Sequence, residues 1–141
     1  MASELHRLWF RNWDPLGATV RLINQWVPPE PCDRESVLED SLYAYLLDQL
    51  PGFTITRQYG LDRGRVDIVI ERTVAIELKY RLNDTGDYHR LIGQLEELAR
   101  SPLYAVIVLA GETDPDISRR VLEHIEDRFD LGSRGKLVLK P

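Results

Sequence analysis

Apolar and polar positions alternate most regularly over residues 65–80, which read RVDIVIERTVAIELKY. Side chains along a β-strand point to opposite faces with a period of two residues. The alternation therefore predicts two strands joined by a tight polar turn. In the first strand, Asp67 is expected to face away from Val66 and Ile68. In the second strand, Glu77 is expected to face away from its apolar neighbours in the same way.

The register of this hairpin decides whether its charged side chains meet. If residues 71–73 (ERT) form a three-residue loop, Asp67 lies opposite Glu77, at the short separation of directly paired residues. Arg65 then lies opposite Lys79. A two-residue turn would shift the register by one and place Asp67 opposite an apolar residue. Three-residue loops usually carry Gly in a left-handed position, and this loop has none, so the sequence leaves the register open.

The remaining pattern predicts an α/β fold with a central mixed sheet flanked by helices. Its expected order is a helix, a three-strand meander, a helix, a strand, a helix and a strand. The predicted ranges are 33–50 (helix), 53–59 and the central hairpin (meander), 88–100 (helix), 103–110 (strand), a helix that begins at Asp114, and 136–140 (strand). Residues 33–141 are expected to form one domain. Residues 1–32, rich in Trp, are expected to form a strap over the core or a dimer arm.

Composition narrows the class of protein. A chain of 141 residues suits one domain with a real core. No apolar run has the length of a membrane span, and the N-terminus lacks the layout of a signal peptide. The lone Cys32 fits a reducing compartment, so a cytoplasmic location is expected. The net charge of −5 argues against a nucleic-acid binder, although a local basic patch or a bound divalent ion can outweigh it.

The charged positions of the hairpin are the most concentrated chemistry in the sequence. There is no Walker-type loop, dinucleotide glycine fingerprint, zinc-spaced Cys or His pair, or G-x-S-x-G elbow. Of the 18 basic residues only Lys79, Lys136 and Lys140 are lysines, so a Lys within an apolar strand indicates that a guanidinium would not serve there. Charges in such strands are costly unless they are paired or bind a metal. A structural salt bridge between Lys79 and one of the acids is the alternative.

The spacing Asp67, nine residues, Glu77, one residue, Lys79 resembles the motif of the PD-(D/E)XK nuclease superfamily, the restriction-endonuclease-like proteins. Within it, the chain is most similar to Holliday-junction resolvases and small stand-alone nucleases. Glu39 in the preceding helix and Gln94 in the following helix match the family's helix acid and helix glutamine. The resemblance covers roughly residues 36–110, and it implies a restriction-endonuclease-like core.

The resemblance also implies a role for each matching residue. Two carboxylates with water in the remaining positions suit Mg²⁺ or Mn²⁺. The expected metal ligands are Asp67, Glu77, the carbonyl of Leu78, and Glu39. Lys79 would orient or deprotonate the attacking water. Contacts with nucleic acid are expected from Gln94, Arg65 and Arg81.

The implied function is metal-dependent hydrolysis of DNA phosphodiester bonds that leaves 5′-phosphates, with junctions or branched DNA as candidate substrates. Cutting two strands with one small domain favours a homodimer. Two alternatives remain open. One is a module on a nuclease fold that binds nucleic acid or a protein without cutting. The other is a nuclease directed at RNA.

Overall fold

The computed structural model describes residues 4–11, 13–129 and 133–141, and the side chains of all of these except residues 4–6. The elements in chain order are α1 (Glu4–Phe10), α2 (Pro15–Gln25), α3 (Glu35–Gln49), β1 (Ile55–Gly60), β2 (Arg65–Ile70), β3 (Val74–Tyr80), α4 (Thr85–Arg100), β4 (Tyr104–Ala110), α5 (Pro115–Arg128) and β5 (Gly135–Lys140). In the described part of the chain, no helix is long and apolar enough to cross a membrane.

The strands form one five-stranded sheet in the order β1-β2-β3-β4-β5. The first three strands pair antiparallel as a meander, and β3, β4 and β5 pair parallel. Parallel neighbours need a crossover, and α4 and α5 supply the two crossovers. The predicted α/β class, the mixed sheet with flanking helices and the order of the elements are confirmed.

Two hydrophobic clusters lie on opposite faces of the sheet. Helices α1, α2 and α3 cover one face, where alternate β4 residues such as Val106 and Val108 are buried. Helices α4 and α5 cover the other, where Ala105 and Ile107 are buried. The continuous apolar run of β4 is therefore the run of a strand that is covered on both faces, as its sequence predicts.

The N-terminal segment packs on the first of these clusters. Trp9 and Trp26 are almost completely buried there, and the indole Nε1 of Trp26 donates to Ser41 Oγ over 3.2 Å. Helix α2 begins at Pro15, and Asp14 caps it by accepting from Gly17 N over 2.9 Å. This packing is that of a strap over the core. The dimer arm stays a prediction, and its residues 1–3 and 12 lie outside the described part of the chain.

The hairpin has the register that brings the charged residues together. Ile70 pairs with Val74, which leaves a three-residue loop between β2 and β3. Glu71 and Arg72 both adopt a left-handed backbone, with φ of 53° and 49°, although neither is Gly. Glu71 offsets this strain because its backbone N donates to Thr54 O over 2.7 Å and its carboxylate accepts from Thr54 N.

The regular pairing of β2 stops at Asp67. The β2–β3 ladder ends at the pair Ile68–Ile76, so the expected backbone pairing of Arg65 with Lys79 does not form. The β1–β2 ladder also omits the pair of Gln58 with Asp67, and Gln58 has a φ of 50°. These interruptions open the sheet around the Asp67 side chain.

The break in pairing also changes which face the residues of β2 occupy. Ile68 packs in the cluster under α1–α3, whereas Val66 packs with Val69 in the cluster under α4 and α5. The prediction that Asp67 faces away from both Val66 and Ile68 is therefore wrong. Strict alternation fails here because the backbone is irregular at the point where the ladder is interrupted.

Candidate active site

Asp67 occupies the gap between β2 and β3. Its Oδ2 atom accepts from the backbone N of Leu78 over 2.8 Å, so the carboxylate replaces a missing ladder bond. Its Oδ1 atom lies 3.5 Å from the side-chain amide nitrogen of Gln58. In a β-strand the N–H and C=O of one residue point to the same neighbour. The carbonyl of Leu78, a predicted metal ligand, therefore faces the same gap as the carboxylate of Asp67.

Glu77 reaches this gap from β3 and is only 1% exposed. Its Oε1 atom accepts from the backbone N of Asp67 over 3.3 Å. Its Oε2 atom is buried without a hydrogen-bond partner among the described residues. Burial, and next the hydrogen bond and negative charge of Asp67, raise the pKa of Glu77 to about 10. Glu77 therefore favours its protonated form at neutral pH, which reduces the repulsion between the two neighbouring carboxyl groups.

Lys79 lies two residues beyond Glu77 on β3, and its positive charge acts to lower the pKa of Glu77. Its Nζ atom is 3.8 Å from Oε1 of Glu35, at the start of α3. Burial raises the pKa of Glu35, which Asp67 raises further and Lys79 opposes. Lys79 thus lies among Asp67, Glu77 and Glu35, and its side chain is 20% exposed. It points neither into the hydrophobic interior nor freely into solvent.

Glu35 is the acid that sequence reasoning missed. The predicted helix acid, Glu39, lies one turn further along α3, where Arg57 and Gln58 hold it. Glu39 Oε2 accepts from Arg57 Nε over 2.9 Å, and Glu39 Oε1 accepts from Gln58 Nε2 over 2.8 Å. The spacing of four residues between Glu35 and Glu39 places both on one face of the helix. That spacing was the only signal for Glu35 in the sequence.

Glu39 therefore contacts Arg57 and Gln58, whereas Lys79 has its ion pair with Glu35. Arg57 also pairs with Asp40 over 2.6 Å and stacks 5.1 Å from the ring centre of Tyr43. These contacts fix the position of Arg57, and Arg57 fixes the carboxylate of Glu39. Glu39 in turn holds the side-chain amide of Gln58 beside Asp67. The predicted role of Glu39 as a metal ligand would require one of its two oxygens to leave these partners.

The three residues predicted to contact nucleic acid lie in different surroundings. Gln94 lies on the inner side of α4, and its Oε1 atom is buried without a partner among the described residues. Arg65 is exposed at the start of β2. Arg81 stacks 5.1 Å from the ring centre of Tyr80, and the two also line a cavity beside the Pro-rich segment. The Oε1 atom of Gln94 thus has no hydrogen-bond donor among the described residues, and Arg81 packs on Tyr80 rather than on the acids.

The donor set fits a hard divalent cation held mainly by water. Among the described residues, no three His, Cys, Asp or Glu side chains are placed to hold a metal ion together. Asp67 and Glu77 supply two carboxyl groups, and Leu78 adds a carbonyl that faces the same gap. Mg²⁺ usually keeps several waters and takes only one or two carboxylates from the protein. The partnerless Oε2 atom of Glu77 is the observation that fits such an ion best.

Comparison of the chain with protein-family models, with curated proteins and with solved structures finds no match.

Proposed function

We propose that the protein is a metal-dependent nuclease that hydrolyses DNA phosphodiester bonds, a member of the PD-(D/E)XK superfamily with a restriction-endonuclease-like core. The observation that carries the proposal is the convergence of Asp67, Glu77 and Lys79 where the β2–β3 ladder ends. Two adjacent carboxyl groups beside a lysine lie in a gap between paired strands, where each also accepts from a backbone N–H. A buried carboxyl that must be protonated lowers the stability of the fold at neutral pH, and a metal-binding role would account for its presence there.

Asp67 and Glu77 would hold Mg²⁺ or Mn²⁺, with the Leu78 carbonyl as a third protein oxygen. The bound ion supplies Lewis acidity, a lowered pKa for coordinated water and neutralisation of charge on the phosphate. Glu77 would have to give up its proton to become a ligand, because metal ligands bind in the deprotonated form.

Lys79 would place its ammonium group against the attacking water and the scissile phosphate. A compact charge with three rotatable donors can bind both at once, and it stabilises the negative charge that develops during attack. Glu35 lies 3.8 Å from the Lys79 Nζ atom and would hold the ammonium in position. Gln58 and Glu39 would orient Asp67 through the hydrogen bonds that connect the three side chains.

The experiment that tests this function is a cleavage panel. Labelled four-way junction, flap, nicked duplex, linear duplex and single-stranded DNA, and single-stranded RNA, are each incubated with Mg²⁺, with Mn²⁺ and with EDTA. We expect cleavage of at least one DNA that requires the metal and leaves 5′-phosphate ends. Cleavage of RNA alone would redirect the proposal to an RNA nuclease. Binding without cleavage in every metal condition would contradict it and favour the non-cleaving module.

A further inference from the structure

A second cleft of about 670 Å³ lies beside the candidate active site but shares none of its acidic residues. Three segments form it: the loop that follows β1, the tip of the β2–β3 hairpin and the end of α4 with the residues that follow it. Its volume is within the ordinary range of ligand sites, about 300–1,000 Å³. The proposed cleavage reaction assigns this cleft no role.

Three arginines line the cleft, namely Arg63, Arg72 and Arg100, together with the carboxylates of Asp62 and Glu97. Within the described part of the chain, no carboxylate lies at ion-pair distance from any of the three guanidinium groups. Glu97 instead accepts from the backbone N of Arg63, which fixes the loop. A chain with a net charge of −5 thus directs three unpaired guanidinium groups into one concavity. This cluster of positive charge favours the binding of an anion in the cleft.

The walls of the cleft are held in place by specific contacts. Arg134 donates to the carbonyls of Ser101 and Leu103 over 2.9 and 3.0 Å, which fixes the segment that follows α4. The hairpin tip that carries Arg72 is fixed in turn by the hydrogen bonds between Glu71 and Thr54. A pre-formed cleft loses little conformational freedom when it binds a ligand.

The cleft begins where the candidate active site ends. Gln58, which contacts Asp67, is followed on β1 by Tyr59 and Gly60, and both of these line the cleft. Two residues of strand span about 7 Å at roughly 3.3 Å per residue. The cleft lies on the α4 side of the sheet, where Tyr59 packs, and Arg72 at the hairpin tip lies beside the start of β1.

We propose that this arginine cleft (Arg63, Arg72 and Arg100) binds backbone phosphates of a nucleic acid, as a contact surface separate from the acids that would cleave it. The guanidinium group matches a phosphate with paired N–H donors, and three such groups in one cleft suit a chain of phosphates better than one small anion. The proposal rests on the proposed function for the identity of the polymer. The cleft would hold the nucleic acid while the acids and Lys79 act on it.

The test measures binding without cleavage. Fluorescence anisotropy in EDTA follows a fluorescein-labelled 20-nucleotide DNA single strand with the whole chain and with the triple variant R63A/R72A/R100A. We expect the variant to bind at least tenfold more weakly, with a salt dependence of log K that is shallower by about 2, since each lost phosphate contact removes roughly 0.7. The matched control R7A/R119A/R120A loses the same charge at exposed positions of α1 and α5 and should bind within twofold of the wild type.

Equal binding by the cleft variant and the control would overturn the cleft proposal. If the triple variant does not fold, as judged by circular dichroism, the single charge reversal R100E takes its place with the same expected direction. Cleavage with Mg²⁺ separates the two proposals. A wild type that binds through the arginines but never cleaves would remove the nuclease assignment alone, whereas cleavage with arginine-independent binding would remove the cleft alone.

Discussion

Replacing Lys79 with alanine is expected to lower the rate of metal-dependent cleavage by roughly 10³-fold while the protein remains folded. Lys79 is the only lysine near Asp67 and Glu77 in the structure, and its charge is felt at Glu77. The variant leaves both carboxyl groups in place, so metal uptake should survive. Single-turnover cleavage of the best substrate from the panel, at saturating protein, measures the loss in the chemical step.

Lys79→Arg sharpens this test because it keeps the charge. A guanidinium is bulkier, spreads its charge and does not give up a proton in proteins. We therefore expect Lys79→Arg to lose roughly 10²-fold in rate. Lys136→Ala, at an exposed position of β5, is the matched lysine control and should cleave as the wild type does. If Lys79 only formed a salt bridge with Glu35, Lys79→Ala would cleave normally and lose a little stability. That result would defeat the catalytic assignment.

Glu77→Gln is expected to stabilise the protein in EDTA at pH 8 by about 2–4 kcal/mol. Burial raises the pKa of Glu77 from 4.5 to about 10, so the folded state retains a proton that the unfolded state releases. Stability from this group is present below pH 4.5 and is lost as the pH rises toward 10. Gln stays neutral throughout. Its advantage over Glu should therefore be small at pH 5 and grow with pH.

Urea denaturation of Glu77→Gln and of the wild type, at pH 5 and at pH 8, measures the difference in their free energies of unfolding. Saturating Mg²⁺ at pH 8 should then stabilise the wild type and leave Glu77→Gln unchanged, because the variant lacks a ligand. Glu126→Gln, an exchange at an exposed position of α5, is the control and should show no such pH-dependent gain. A Glu77→Gln variant that is no more stable than the wild type at pH 8 would mean that Glu77 is not held protonated.

Much of the fold follows from the sequence because its signals are local. Period-two alternation located β2 and β3, and the apolar run of β4 indicated a strand buried on both faces. The sequence alone does not decide the hairpin register, because the register depends on whether the loop has two or three residues. Glu71 and Arg72 adopt left-handed backbones without Gly, and the contacts that offset the strain come from Thr54, which precedes β1 and lies 17 residues away in sequence.

The sequence predicts the three central residues of the candidate site but not the residues that surround them. Asp67, Glu77 and Lys79 stand out because charge interrupts apolar strands. Glu35 does not stand out, since only the packing of α3 against the end of β3 brings it to Lys79. Gln58 gave no signal, because its role depends on an irregular backbone. The irregular backbone also explains why Val66 and Ile68 lie on opposite faces of the sheet. Strict period-two alternation holds only where the pairing between strands is uninterrupted, and the pairing of β2 is interrupted at Asp67.

Binding of Mn²⁺ to the wild type and to Asp67→Asn, measured by isothermal titration calorimetry at pH 8, tests the metal centre most directly. Asn keeps the size of the side chain but removes the charge that a hard cation requires. The wild type is expected to bind Mn²⁺ with at least one site per chain and to release a proton from Glu77, so the heat should depend on the ionisation enthalpy of the buffer. Asp67→Asn should show no such site. Equal binding by the two proteins, or none by the wild type at millimolar Mn²⁺, would contradict a metal centre at Asp67 and Glu77.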